Sequence, residues 1–323
     1  MNINDFFDYA PANHEIYNAF AKTQQHLERH EKPQCAISGG ADSDIMLDIV
    51  SKADTQGKVS YVFFNTGIEY EATKKHLDYL RQKYGVEIKE YKATLPVPLA
   101  CRKYGQPFLT KYVSEMIQRL QRHNFKWEDK PFEELLAEYP NCKGALKWWC
   151  NCHEGKSHFN INRHKLLKEF MIENPPAFAI SNKCCDYAKK NVAKKAAKSE
   201  GCDLHIVGVR RAENGIRAQS YKSCFTEATS RGAANFRPLY WLTDSDKEEY
   251  EKHCNIIHSD CYEKYGLKRT GCAGCPFGSR FEEELEIIKE YEPKLYGAVN
   301  KIFGASYDYM RRYREYKGGV NND

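Results

Sequence analysis

Two sets of residues have the types and spacing that chemistry requires. Cys184 and Cys185 are adjacent, and Cys272-Ala-Gly-Cys275 is followed by Pro276. A Cys-x-x-Cys turn sets two thiolates on one metal or cluster. An adjacent pair is awkward around a single tetrahedral zinc. It sits more comfortably on a cluster face, where neighbouring irons each take one sulfur. Spacing alone leaves a 4Fe–4S cluster, a structural Zn(Cys)4 site and a redox-active dithiol open. The second set is Ser38-Gly-Gly-Ala-Asp-Ser43, between an apolar run and a second apolar stretch. Backbone N–H groups at such a strand-to-helix turn can hold a phosphate, and two glycines let the chain approach it. Ser38 and Ser43 add hydroxyls, and Asp42 can orient a metal or the loop itself. No Gly-Lys-Ser/Thr follows, so this is not a Walker A loop.

The elements around these residues read as α/β. Gln34–Ser38 is a short strand, Asp44–Ser51 a buried helix and Tyr61–Phe64 a second strand. Thr73, Leu77, Leu80 and Tyr84 recur at helical spacing before a Gly85 stop, and Val86–Lys92 gives a third strand. Residues 1–100 are therefore read as the first half of a parallel sheet flanked by helices. Residues 101–172 form a helical insertion, with Phe108, Tyr112, Met116 and Leu120 on one stripe and Trp127, Trp148 and Trp149 adding aromatic mass. The sheet resumes over 173–280 with strands at Ala177–Ser181 and Leu204–Val209, separated by a lysine-rich helix from Asp186 to Glu200. Residues 281–323 are an amphipathic helical tail, broken near Pro293 and frayed at Gly318-Gly319.

Composition sets outer bounds. The 323 residues are 41% hydrophobic and 29% charged, an ordinary globular balance that argues against disorder. Neither a membrane-length apolar run nor a secretory start is present, so the expected compartment is the cytoplasm. There the 13 cysteines stay reduced, and clusters of them mean metal or redox chemistry. A net charge of +5 suits an anionic substrate or nucleic acid. Cys35, Cys101, Cys202, Cys224, Cys254 and Cys261 read as buried small hydrophobes. Cys142, Cys150, Cys152 and His153 are candidates for a second zinc site, although the neighbouring Trp148-Trp149 favours packing.

These residues bring a family resemblance into view. Ser38–Ser43 resembles the S-G-G-x-D-S signature of the PP-loop ATP pyrophosphatases. Cys184-Cys185 with Lys189 and Lys190, Gly208-Val-Arg210, Glu213, Arg217, Pro238, Trp241, Tyr265-Gly266, Arg269 and Gly271–Pro276 resemble the phosphoadenosine phosphosulfate (PAPS) reductase family. The pattern is closest to its cluster-bearing adenylyl-sulfate reductases and to the Dnd-type sulfur-transfer protein of DNA phosphorothioation. The likeness covers about 34–95 and 177–280. It implies a Rossmann-like, adenine nucleotide alpha hydrolase-like fold, and a 4Fe–4S cluster on Cys184, Cys185, Cys272 and Cys275. It further implies ATP with magnesium on Ser38, Gly39, Gly40, Asp42, Ser43 and Arg269, and catalytic roles for Asp42, Lys190, Arg210 and Arg217. Asn214 stands where the family has serine, and Asn65 where it has aspartate, so Glu69 or Glu71 would have to supply that carboxylate.

Sulfonucleotide reductases use a mobile C-terminal cysteine, because a thiolate must form the S-sulfo intermediate that a second thiol resolves. No cysteine follows Cys275 here. The expected activity is therefore ATP-dependent adenylation of a nucleic acid or nucleotide, followed by sulfur transfer. Expected partners are an adenine nucleotide, a nucleic-acid substrate and a cysteine desulfurase as sulfur donor, with no membrane. Two alternatives stand beside it. One is a phosphosulfate reductase that uses Cys254 or Cys261. The other is a non-catalytic, metal-bearing nucleic-acid-binding module.

Overall fold

Three runs in the first hundred residues become one half of a six-stranded sheet. In the computed structural model, which describes residues 1–155, 157–213, 220–230 and 232–319, the strands are β1 (Pro33–Ala36), β2 (Ser60–Asn65), β3 (Ile88–Lys92), β4 (Leu204–Val207), β5 (Phe225–Thr226) and β6 (Ala234–Phe236). Their order is β3-β2-β1-β4-β6-β5. Every pairing is parallel except β5 with β6. The Rossmann-like sheet expected from the sequence is present. Cys35 sits at its centre, opposite Tyr61 on one side and Ile206 on the other.

The chain divides into two compact units, Met1–Ala93 with Lys189–Cys272, and Thr94–Ala188 with Ala273–Asp323. The first holds the sheet. Its core joins the inward faces of β1, β2 and β4 to helix Ala41–Ala53, whose Ile45, Met46, Leu47, Ile49 and Val50 are all buried. Helices Ile3–Tyr9 and His14–Arg29 close one side, with Phe6 and Phe20 stacked 3.8 Å apart. A buried carboxylate ties this layer together: Asp48 accepts from the hydroxyls of Tyr9, Tyr84 and Tyr250 and pairs with Lys52 at 2.6 Å. A charge so placed is tolerable only because every approach to it is hydrogen-bonded.

The second unit is helical. Helix Lys111–Gln121 buries Val113, Met116, Ile117 and Leu120, while Phe108 precedes the helix and packs on Tyr309, 5.0 Å away. Trp149 meets Trp127 and Phe125 edge-on. The long helix Pro293–Gly319 belongs to this unit. Tyr309 and Tyr313 pack on Phe170 and donate to the carbonyls of Asn174 and Lys165. The break at Pro293 is present, and the helix continues through Gly319.

One expected strand is absent. Ala177–Ser181 makes a single parallel bridge, Ile180 to Gln106, within the helical unit. The Gln121 amide replaces a strand neighbour, accepting from Ile180 N at 2.9 Å and donating to Phe178 O at 2.8 Å. Gly105 makes room for the contact, since a Cβ there would lie 2.3 Å from Ala179 O. The expected Asp186–Glu200 helix also changes: Asp186–Lys190 is a π-turn and the α-helix begins at Asn191.

Candidate active site

The Ser38–Ser43 loop lies where β1 and β4, neighbours in space, continue in opposite directions across the sheet. Open α/β sheets bind ligands in that crevice, beyond the carboxyl ends of the strands. Gly39 has φ +68, and a Cβ there would fall 2.8 Å from Thr73 Cγ2, so the turn requires glycine. Ser43 Oγ accepts from Ser38 N at 2.9 Å, and Ser38 Oγ from Gly40 N at 3.3 Å, so the two serines fold the loop on itself. Gly40 caps helix Ala41–Ala53 without any side-chain cap bond. The first-turn N–H groups of a 13-residue helix are thus left to a ligand or to neighbouring hydroxyls.

Asp42, in that first turn, is engaged by cations. Its Oδ1 accepts from Arg210 Nε at 3.0 Å and lies 3.0 Å from Lys247 Nζ. Arg210 is buried, and its Nη1 reaches Asp244 Oδ1 at 2.9 Å. Burial opposes the Arg210 charge, but Asp42 and Asp244 outweigh it and raise its pKa. Gly208 lets this strand end approach the loop, since a Cβ there would be 3.3 Å from Asp42 O. Asp42 therefore orients the loop against β4 through two ion pairs.

Beneath the loop, Asp44 is fully buried, with His258 Nδ1 at 2.8 Å and His76 Nε2 at 3.0 Å. His258 Nε2 meets Glu251 at 2.8 Å. Burial disfavours the charged His258 ring, yet the bonds to Asp44 and Glu251 prevail and raise its pKa to about 9. Tyr262 and Thr270 cover Gly40, and Thr270 N donates to the Tyr262 hydroxyl at 3.2 Å. Lys247, Asp244, His258, Tyr262 and Thr270 had no sequence signal beyond their residue type, because each reaches the loop only through the fold.

Other expected residues fall variously. Arg269 and Lys190 are exposed. Arg217 and Asn214 lie outside the described residues. Glu69 accepts from both Thr66 N and Thr66 Oγ1, and Asn65 Oδ1 from Gly67 N, so the Asn65–Glu69 turn is closed on itself. Glu71 pairs with Lys74 at the surface. The Cys272 thiol donates to Thr66 Oγ1 at 3.6 Å.

In the helical unit, helix Val97–Tyr104 packs on the short helix Lys183–Cys185. Tyr104 and Tyr187 stack 4.9 Å apart with their hydroxyls 3.0 Å apart, pinning the two segments. This places Cys101 against Cys184, both buried. The adjacent Cys101, followed by burial and the nearby Cys275, holds the Cys184 thiol above its ordinary range, while Cys185 opposes them. Gly274 has φ +59, and a Cβ there would meet Tyr307 Oη at 2.7 Å, where the Tyr307 hydroxyl donates to Gly274 O. Cys101, read from sequence as a packing residue, is thus part of the thiol group. Cys142, Cys150 and Cys152 instead donate to the carbonyls of Arg119, Lys130 and Cys150. Among the described residues, no three His, Cys, Asp or Glu side chains are arranged around a single metal ion.

Residues 32–143 match the phosphoadenosine phosphosulfate reductase domain. That stretch, about a third of the chain, is what is similar to this family. The reductase-family match takes in the phosphate loop but ends before Cys184. An uncharacterized protein of Methanocaldococcus jannaschii is 25% identical over 281 residues, 86% of this chain. The chain spans 43% of that relative's length. Among solved structures, a phosphoadenylyl-sulfate (PAPS) reductase from Candida auris in a phosphate complex is similar at TM-score 0.45 and 12% identity, over 79% of this chain and 88% of that one. The U34-tRNA thiolase NcsA from Methanococcus maripaludis with its 4Fe–4S cluster is similar at TM-score 0.39 and 12% identity, over 93% and 80%. Among the described residues, no helix is long and apolar enough to cross a membrane.

Proposed function

We propose that this reductase-family chain uses ATP to adenylate a nucleotide or nucleic-acid substrate, releasing pyrophosphate, and transfers sulfur with the help of a 4Fe–4S cluster. The observation that carries the reading is the uncapped helix at Gly40–Ala41, set behind two glycines at the sheet's switch point. In this reading the loop N–H groups hold the β,γ-pyrophosphate leaving group, and their fixed dipoles stabilise charge that grows as it departs. Arg210, anchored between Asp42 and Asp244, holds the loop against β4. Magnesium would ride mainly on the ATP phosphates, because it keeps much of its water and needs few protein carboxylates.

The cluster would be held by Cys184, Cys185, Cys272 and Cys275. Zinc requires all its thiolates within about 2.3 Å of one point, whereas a cluster takes one thiolate at each of four irons. Cys185 and Cys275 both act on the Cys184 thiol, so three of the four thiols are neighbours, which supports the second requirement. Bound there, the cluster would supply a sulfur-carrying or electron-conducting centre. Cys272, Cys275 and the Cys184-Cys185 pair would supply the thiolates, and the Gly274 turn would fix the spacing of the first two.

The reductase alternative needs an internal thiolate nucleophile. Cys261 is fully buried, with Thr73 Oγ1 at 3.7 Å, and burial pushes the Cys254 thiol up to about 11. Neither presents a ready thiolate. The test is anaerobic purification with iron, sulfide and absorption measurements, then assay of pyrophosphate release from ATP with tRNA, DNA and nucleotide acceptors. Cluster-loaded protein that releases no pyrophosphate with any acceptor would remove the adenylation reading, and zinc without iron would remove the cluster.

A further inference from the structure

We propose that Lys247 is a phosphate-binding residue of the loop, held ready by Asp42 until a polyphosphate displaces that carboxylate. The inference rests on the phosphate-loop reading above and adds a residue that the sequence did not single out.

Lys247 stands in helix Asp244–His253, and its Nζ lies 3.0 Å from Asp42 Oδ1 and 3.6 Å from Glu251 Oε1. Only 20% of its side chain is exposed, so the ammonium is turned inward. Burial weakens its charge, but Asp42 and Glu251 restore it and raise its pKa, so it stays a cation at neutral pH. The same Asp42 oxygen already accepts from Arg210 Nε. Two cations thus converge on one carboxylate oxygen in the first turn of the uncapped helix.

The two cations differ in freedom. Arg210 is fixed at both ends of its planar fork, by Asp42 and by Asp244. Lysine is a point charge on a flexible stem with three rotatable donors, so it can turn from one anion to another while its helix stays in place. A pyrophosphate seated on the first-turn N–H groups of helix Ala41–Ala53 brings several charged oxygens to the oxygen that Lys247 now holds. It offers more charge-assisted bonds than one carboxylate can. Lys247 is the movable cation, and Arg210 the fixed one.

The experiment titrates inorganic pyrophosphate, without magnesium, into the full chain by calorimetry. Lys247→Gln is expected to weaken binding roughly 10- to 100-fold, the loss of one hydrogen bond between charged groups. Lys247→Arg should stay within about threefold of wild type, since it keeps the charge. Asp42→Asn, which removes the carboxylate charge that Lys247 and Arg210 share, should bind at least as tightly as wild type. Thermal unfolding of each variant runs alongside. Wild-type affinity in Lys247→Gln overturns the assignment and leaves the loop reading standing. So does a loss that Lys247→Arg fails to restore and that tracks a fall in unfolding temperature, because the lysine is then structural. A wild-type chain that binds no pyrophosphate overturns the loop reading and this assignment together.

Discussion

The buried thiols of Cys101 and Cys184 are neighbours across two segments that the Tyr104–Tyr187 stack pins together. The pair separates two roles that cysteines in one group can play. Under the proposed cluster ligation, Cys184→Ala and Cys275→Ala are expected to abolish most iron uptake during anaerobic reconstitution, because each would remove one of the four thiolates. Cys101→Ala should keep its iron and lose about 1–2 kcal/mol of stability, from the small cavity left in a buried site. Iron analysis and urea unfolding of the three variants check this. Iron loss in Cys101→Ala equal to that in Cys184→Ala would make Cys101 a ligand and refute the division.

Gly274 predicts the cost of changing the Cys-x-x-Cys turn. Alanine there meets both a left-handed φ of +59 and the Tyr307 hydroxyl at 2.7 Å. The backbone term alone is about 1–2 kcal/mol. Gly274→Ala should therefore lower both the unfolding midpoint and the iron content, and Gly274→Ala/Tyr307→Phe should recover part of the loss. No recovery in the double variant would show that steric pressure from Tyr307 is not the cause.

His258 gives the stability a pH dependence with a definite sign. Its pKa is about 6.5 in an unfolded chain and about 9 in the fold. The groups facing it are Asp44, Glu251 and the Tyr262 ring, with Lys247 on Glu251 and His76 on Asp44. A raised pKa contributes fully below pH ~6.5, and that contribution fades as pH rises through about 9, up to about 3 kcal/mol. Urea unfolding between about pH 6 and about pH 9.5 should show this decline, and His258→Gln should flatten it. An equal slope in the variant would assign the decline to other groups.

Arg210→Lys tests the anchoring of the loop. A lysine cannot reach Asp42 and Asp244 together, because the arginine uses two different nitrogens for them. Expected are a stability loss of about 1–3 kcal/mol and weaker pyrophosphate binding, read by thermal unfolding and calorimetry. Unchanged binding would show that Lys247 alone positions Asp42.

The parallel sheet was legible in the sequence because apolar runs such as Tyr61–Phe64 and the Asp44–Ser51 stretch carry local signals of period and propensity. The phosphate loop was legible for the same reason: Gly39 needs its positive φ for reasons local to the turn. Ala177–Ser181 read as a strand on equal grounds, yet strand formation needs a neighbouring backbone, and Gln121 supplied side-chain bonds instead. The spacing of Cys184-Cys185 and Cys272–Cys275 determined which thiols could share a cofactor. That Cys101 joins Cys184, that Asp42 is engaged by Arg210 and Lys247, and that His258 sits under the loop on Asp44 were decided by tertiary structure. These partners are 83, 168, 205 and 214 residues apart (from the numbering of each pair). No local pattern encodes such pairs, because long-range packing alone brings their charges and thiols together.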